Sequence, residues 1–287
     1  MRARDCITSF LLWIAALVAW GEGAPTPVPL TSATVKEATN NVTLTEPKMP
    51  TRDAHKGDKL QGGAMLETGS LGSLADLEFD QNHAVYRLAS GTLFSFSAET
   101  GKLHLTKGLA LMSVEGGIVV CETCAMIAAA KSTAILEAFT VKGKPGKPDR
   151  CATKFILLEG NGTVSTLDGK HSKHLRGGQM ILQYDDEEIL ADIHEVDLKR
   201  LLGESRIITG FKQPLASLGK IQQVVDRQQR EMWRGTLEPT GLIIGGRGPG
   251  LYRMPNLASP NFGLEAPFDP DIAGGIRAVP SPCLICP

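Results

Sequence analysis

Three groups of residues have the types and spacings from which chemistry is built. The first is His171 and His174, in the run DGKHSKHLRGG. A jelly-roll oxygenase holds its metal with two histidines and a carboxylate facing an open cavity. Here the pair stands among lysines in a turn between strands, and no third ligand accompanies it. Both are expected to face solvent. The second group is the cysteines. Cys121-x-x-Cys124 and Cys283-x-x-Cys286 imitate the two halves of a zinc site. The halves lie far apart, however, and the second ends a Pro-rich stretch. A redox role would need a helix N-terminus to depress a thiol pKa, and the pattern around Cys121 is β. The plainer expectation is one disulfide, joining Cys121 or Cys124 to Cys151. The third group is the acidic run Asp185–Glu188. No calcium-loop pattern of oxygen ligands follows it, so it reads as the first turn of a helix, where the backbone dipole favours negative charge. The run GGRGPG at 245–250 lacks the Lys-Ser/Thr ending of a phosphate loop. Neither a G-x-S-x-G elbow nor an H-E-x-x-H motif occurs. The sequence therefore assigns no catalytic residue, no metal and no cofactor.

Bulk composition narrows the partners. Thirty basic residues against 31 acidic give a net charge of −1, and aromatic residues make up 5%. Such a chain has neither the positive field nor the stacking platforms that nucleic acid requires. Arg2 and Arg4 precede the uncharged apolar run Ile7–Trp20, and Gly21 and Gly23 follow two apart. This is the pattern of a secretory signal peptide cut after Gly23. The run falls short of the roughly 20 residues of a membrane-spanning helix, and no later run is long enough. Export to the periplasm or the extracellular side of the envelope is the expectation. It puts Cys121, Cys124 and Cys151 where disulfides persist.

The elements that would position these residues are read from texture. Residues 24–83 are rich in Pro, Thr, Ala and Gly without a sustained period, and they read as a low-complexity linker. From 84 onward, short apolar runs recur about every ten residues: VYRLA, TLFSFSA, KLHLT, LALMSVE, GIVVCE, KFILLE, GTVSTL and QMILQY. Gly116, Gly117, Gly160, Gly162, Gly177 and Gly178 mark turns between them. Asn161-Gly162 has the composition of a type I′ hairpin turn joining KFILLE to TVSTL. The loop 142–148, KGKPGKP, is exposed. The fold class is mainly β, a jelly-roll or β-sandwich-like domain of short antiparallel strands over 84–184. A helical appendage follows over 185–236. Its best helix is 215–234, capped by Ser217, with Leu218, Ile221, Val225 and Met232 on one face. The Pro/Gly-rich segment 237–287 reads as a disordered tail.

Four ordered stretches of this β-segment resemble the periplasmic domain of FecR-type proteins, the relatives of ferric-citrate sensors. They are LTKGLALMSVEGG (105–117), STAILEAF (132–139), KFILLEGNGTVST (154–166) and LRGGQMILQ (175–183). Two departures stand beside them. Classical members carry a sigma-factor-binding segment before a membrane span, whereas six residues precede the apolar run here. The STAI stretch also lacks the family's Gly. The resemblance implies an exported β-domain used for interaction, without a cofactor, its partner another envelope protein or a surface polymer. The competing expectation is a metal-dependent or small-molecule-binding jelly-roll enzyme, which would need an inward-facing His/carboxylate cluster.

Overall fold

The computed structural model describes residues 30–237, except 71, 98, 101, 144, 145 and 147, and the backbone at 241–242 and 251–252. The expected signal peptide, the first residues of the expected linker, most of the tail, and Cys6, Cys283 and Cys286 lie outside the described residues.

The largest departure from the sequence reading is at the front. The stretch read as linker carries β1 (Ser32–Thr39), β2 (Val42–Thr45), β3 (Arg52–Asp53), β4 (Lys59–Gln61), β5 (Met65–Thr68) and β6 (Leu74–Phe79). Ala33, Val35, Val42, Leu44, Leu60, Leu66, Ala75, Leu77 and Phe79 in it are buried. Its alternation is real but short, and much of it is written in alanine, so composition hid a core. The chain continues through β7 (Val85–Leu88), β8 (Leu93–Phe96), β9 (Lys102–Ser113), β10 (Val119–Glu122) and β11 (Ile127–Ala130). Then come β12 (Thr133–Val141), β13 (Arg150–Leu157), β14 (Asn161–Ser165), β15 (Ser172–Arg176), β16 (Gln179–Tyr184) and β17 (His194–Glu195). The β-domain therefore begins near Leu30, not at 84.

The strands form two sheets packed face to face. Sheet A runs β4-β1-β6-β7-β9-β12-β13-β16-β17. Sheet B runs β3-β2-β5-β8-β9-β10-β11-β14-β15. The strand β9 belongs to both, its first half pairing with β8 and β10 and its second half with β7 and β12. Inward side chains of both sheets merge into one core, in which Phe79 meets Tyr86 and Phe96 edge-on at 5.2 and 5.3 Å. This is the mainly β sandwich that the strand spacing predicts, but its strands are not all antiparallel: β9 and β10 pair in parallel.

Gly162 corrects one turn. The strand β13 lies in sheet A and β14 in sheet B, so 154–167 is a crossing between sheets and no hairpin. The positive φ belongs to Gly160, at +70°, while Gly162 is a strand residue opposite Leu175 and Ala130. A Cβ on Gly162 would meet Ala129 O at 3.2 Å and Phe155 Cζ at 3.2 Å. Glycine is needed there for room, not for backbone freedom. Gly116 and Gly117 lie in the β9–β10 connection, with φ +77° at Gly117, and Gly177-Gly178 makes the crossing from β15 to β16.

The outer face of sheet A is covered by α1 (Leu198–Glu204), α2 (Arg206–Thr209) and α3 (Leu218–Trp233). A second core joins Leu111, Ile135, Ile156 and Met180 of the sheet to Leu198, Leu201, Ile207, Ile208, Ile221 and Val225 of the helices. The acidic run does not start a helix. Asp185 Oδ2 accepts from Cys151 N at 3.0 Å, and Arg150 pairs with Asp186 and, at 3.7 Å, with Glu187. The first helix starts later, where Asp197 Oδ1 accepts from Arg200 N at 3.1 Å. Gly241–Leu242 pairs antiparallel with Leu251–Tyr252, so the segment read as a disordered tail holds at least this short ladder. No helix among the described residues is long and apolar enough to cross a membrane.

Candidate functional site

The site is built where α3 meets a corner of the sandwich. Two chain crossings between the sheets, Glu159-Gly160 and Gly177-Gly178, lie side by side, with Gly177 N donating to Gly160 O at 2.9 Å. A Cβ on Gly177 would stand 2.8 Å from Glu159 Cα and 3.1 Å from Val224 Cγ2. One on Gly178, whose φ is +93°, would stand 2.6 Å from Gln228 Nε2. The Gly-Gly pair is therefore what lets the helix seat.

Polar groups fix that seat. Gln228 is buried, its amide donating to Val196 O at 2.8 Å while its oxygen accepts from Leu198 N at 3.3 Å. Arg227 Nη2 donates to Gly177 O at 2.6 Å. At the other end, Ser217 is the residue before the helix, but its hydroxyl makes no cap. It accepts from Thr133 Oγ1 at 2.6 Å, beside Ser113. The buried Glu159 takes the backbone N–H of Thr133 at 2.8 Å.

Between helix and corner runs a groove of about 330 Å³ lined by Glu159, Gly160, Lys220, Gln223, Val224 and Arg227. Lys220 and Gln223 are exposed, and Lys220 makes no ion pair among the described residues. An ammonium, an amide and a guanidinium thus line one wall, facing a corner that carries a carboxylate. Of these, the Arg227 guanidinium is already bonded to Gly177 O and lies 3.8 Å from Glu231, and the Glu159 carboxylate accepts from Thr133 N.

The residues singled out in the sequence scatter around the fold. His174 is exposed on β15 with Nδ1 3.0 Å from Thr163 Oγ1, and His171 is exposed before that strand. Among the described residues no group of three or more His, Cys, Asp or Glu could hold a metal ion. Of the two partners left open for Cys151, the structure pairs Cys124, with Cα atoms 6.2 Å apart. The bond ties the β10–β11 turn of sheet B to β13 of sheet A. Cys121 is free and buried, and burial pushes its thiol pKa up to about 12. The sequence reading missed Arg227, Lys220 and Gln228, which lie on the polar positions of an amphipathic helix. It also missed Arg87, whose one signal was a charge in the middle of the apolar run VYRLA.

No family model and no curated protein matches the chain. Among solved structures, it is similar to the crystal structure of a candidate anti-sigma factor from Parabacteroides distasonis, with a TM-score of 0.36 and 12% identity. The match covers 49% of this chain and 65% of the other, so the chain spans less than two thirds of that neighbour's length.

Proposed function

We propose that this chain is an exported, non-catalytic module of the cell envelope with a FecR-like β-domain, and that it binds an acidic segment of another envelope protein. The groove between α3 and the Gly160 corner carries this reading. Lys220 and Arg227 stand on one helix face beside an open cleft, and the seat beneath them is held by Gln228, Ser217 and the Gly-Gly pair. Lys220 is the exposed charge that an acidic group would meet, and Arg227 beside it is already anchored to Gly177 O. Export is supported by the basic and apolar start of the chain and by the Cys124–Cys151 disulfide, which persists in oxidising compartments. The FecR resemblance is supported by order. Its four stretches fall in chain order on β9, β12, β13–β14 and β15–β16 of one sandwich, with β10 and β11 outside them.

A photo-crosslinking residue at Gln223, compared with one at Ser172 on the edge of sheet B, tests the binding surface in cells. A discrete adduct at Gln223 that disappears in Lys220→Glu is expected. Equal labelling at both positions, or an adduct indifferent to Lys220→Glu, would remove the groove from the proposal. N-terminal sequencing of the mature chain tests export, with a start near Ala24 expected. A chain starting at Met1 in the cytosol would refute it.

A further inference from the structure

Arg87 reaches out of sheet A and is closed over. Its side chain is 2% exposed, and that of its cross-strand neighbour Asp76 is 8% exposed. Arg87 Nη1 donates to Ile208 O at 3.0 Å, and Nη2 donates to Gln213 O. The guanidinium lies over the Phe211 ring at 4.4 Å. One side chain therefore grips both ends of the segment 208–213, which runs from the last residues of α2 towards α3. The counter-charge is poorly seated. Asp76 Oδ2 is 3.7 Å from Arg87 Nε, and neither Asp76 Oδ1 nor Arg87 Nε has a hydrogen-bond partner among the described residues. Buried charge that is paired but not hydrogen-bonded is costly. The other charges facing this pair are Lys36 and Glu37 on β1, Glu78 on β6, and Lys212 on the gripped segment itself, 3.6 Å from Glu37.

We propose that Asp76 and Arg87 form a proton-sensitive latch, closed over by the 208–213 segment when Asp76 is neutral and loosened when Asp76 is ionised. In the closed state, burial above all, together with Glu37 and Glu78, outweighs the pull of Arg87 and lifts the Asp76 pKa from 3.8 to about 6. With the segment lifted, water reaches the carboxylate and its pKa returns towards the ordinary value. The closed state then binds the proton more tightly, so acid favours closure. The effect is complete below about pH 4 and lost as pH rises through about 6. A difference of about two pKa units changes the open-to-closed ratio about a hundredfold.

Hydrogen exchange on the full chain reads this directly, because the amides of Ile208, Thr209 and Gly210 are bonded to Ser205 O and Arg206 O within the gripped turn. After correction for intrinsic rates, their opening should rise about a hundredfold between pH 4 and pH 7 and then level off. Core amides of β13 should not follow. Asp76→Asn should hold these amides closed and flatten the profile. Glu37→Gln, which removes one neighbouring negative charge, should shift the midpoint to lower pH, while loss of its pair with Lys212 raises opening equally at every pH. A flat profile in the natural protein, an Asp76→Asn profile equal to it, an unmoved midpoint in Glu37→Gln, or β13 amides moving in parallel would each overturn the latch.

Discussion

Thr92 replaces a rung of the sheet at Gly108: its Oγ1 accepts from Leu109 N at 3.0 Å and donates to Leu109 O at 3.1 Å, directly beside the glycine. This is where β9 leaves sheet B for sheet A. Gly108 has φ +96°, and a Cβ there would lie 2.4 Å from Thr92 Cα. Gly108→Ala should therefore lose about 3 kcal/mol or more, through left-handed strain and overpacking together. Thr92→Val keeps the shape and removes the hydroxyl, and should lose about 1–3 kcal/mol. Urea unfolding of both variants checks the pair. A Gly108→Ala midpoint equal to the natural protein's would mean that β9 does not kink there.

Gln228 should behave as the pin of the helical cover. Gln228→Leu strips the partners of Val196 O and Leu198 N inside a buried contact, at a cost of about 2–3 kcal/mol. Limited proteolysis should then cut first between residues 205 and 217, leaving the sandwich intact. Cutting that starts within β9 to β13 would argue against a separable cover.

Glu137 and Lys154 face each other across β12 and β13 on the covered side of sheet A, 2.9 Å apart, with side chains 7% and 1% exposed. Lys154→Met alone takes one charge out of this buried pair and should lower stability. Adding Glu137→Leu should recover most of that loss, since a well-packed apolar pair often equals a buried ion pair. A double-mutant cycle in thermal melts measures the coupling. Simple additivity would show that the two charges do not depend on each other.

The Cys124–Cys151 bond closes a loop of sequence separation 27 between the two sheets. Replacing both cysteines with alanine should lower stability by about 3–4 kcal/mol on chain-entropy grounds. Cys121, with its pKa near 12, should resist iodoacetamide at neutral pH in the folded protein and react fully in denaturant. Mass spectrometry of alkylated protein checks both statements. Native labelling at Cys121 would place it on the surface.

The amino-acid sequence alone determined the β character from residue 84 onward and the existence of α3. Those signals are local: alternating apolar residues punctuated by glycine, and a stripe at helical spacing that includes Ile221 and Val225. Tertiary structure decided the rest. Residues 30–80 join the sandwich because strands such as β1 and β4 gain stability from partners distant in sequence. Ala33, for example, faces Leu60 and Phe79 across the sheet. Gly162 lost its turn because β13 and β14 belong to different sheets, which no dipeptide can specify. Arg87 and Gln228 look like surface residues in the sequence. Each became buried because carbonyls far along the chain arrived to satisfy it, those of Ile208 and Gln213 for the one and of Val196 for the other. A polar side chain's burial depends on partners that only the assembled fold supplies, so the groove and the latch were legible only once the chain had closed on itself.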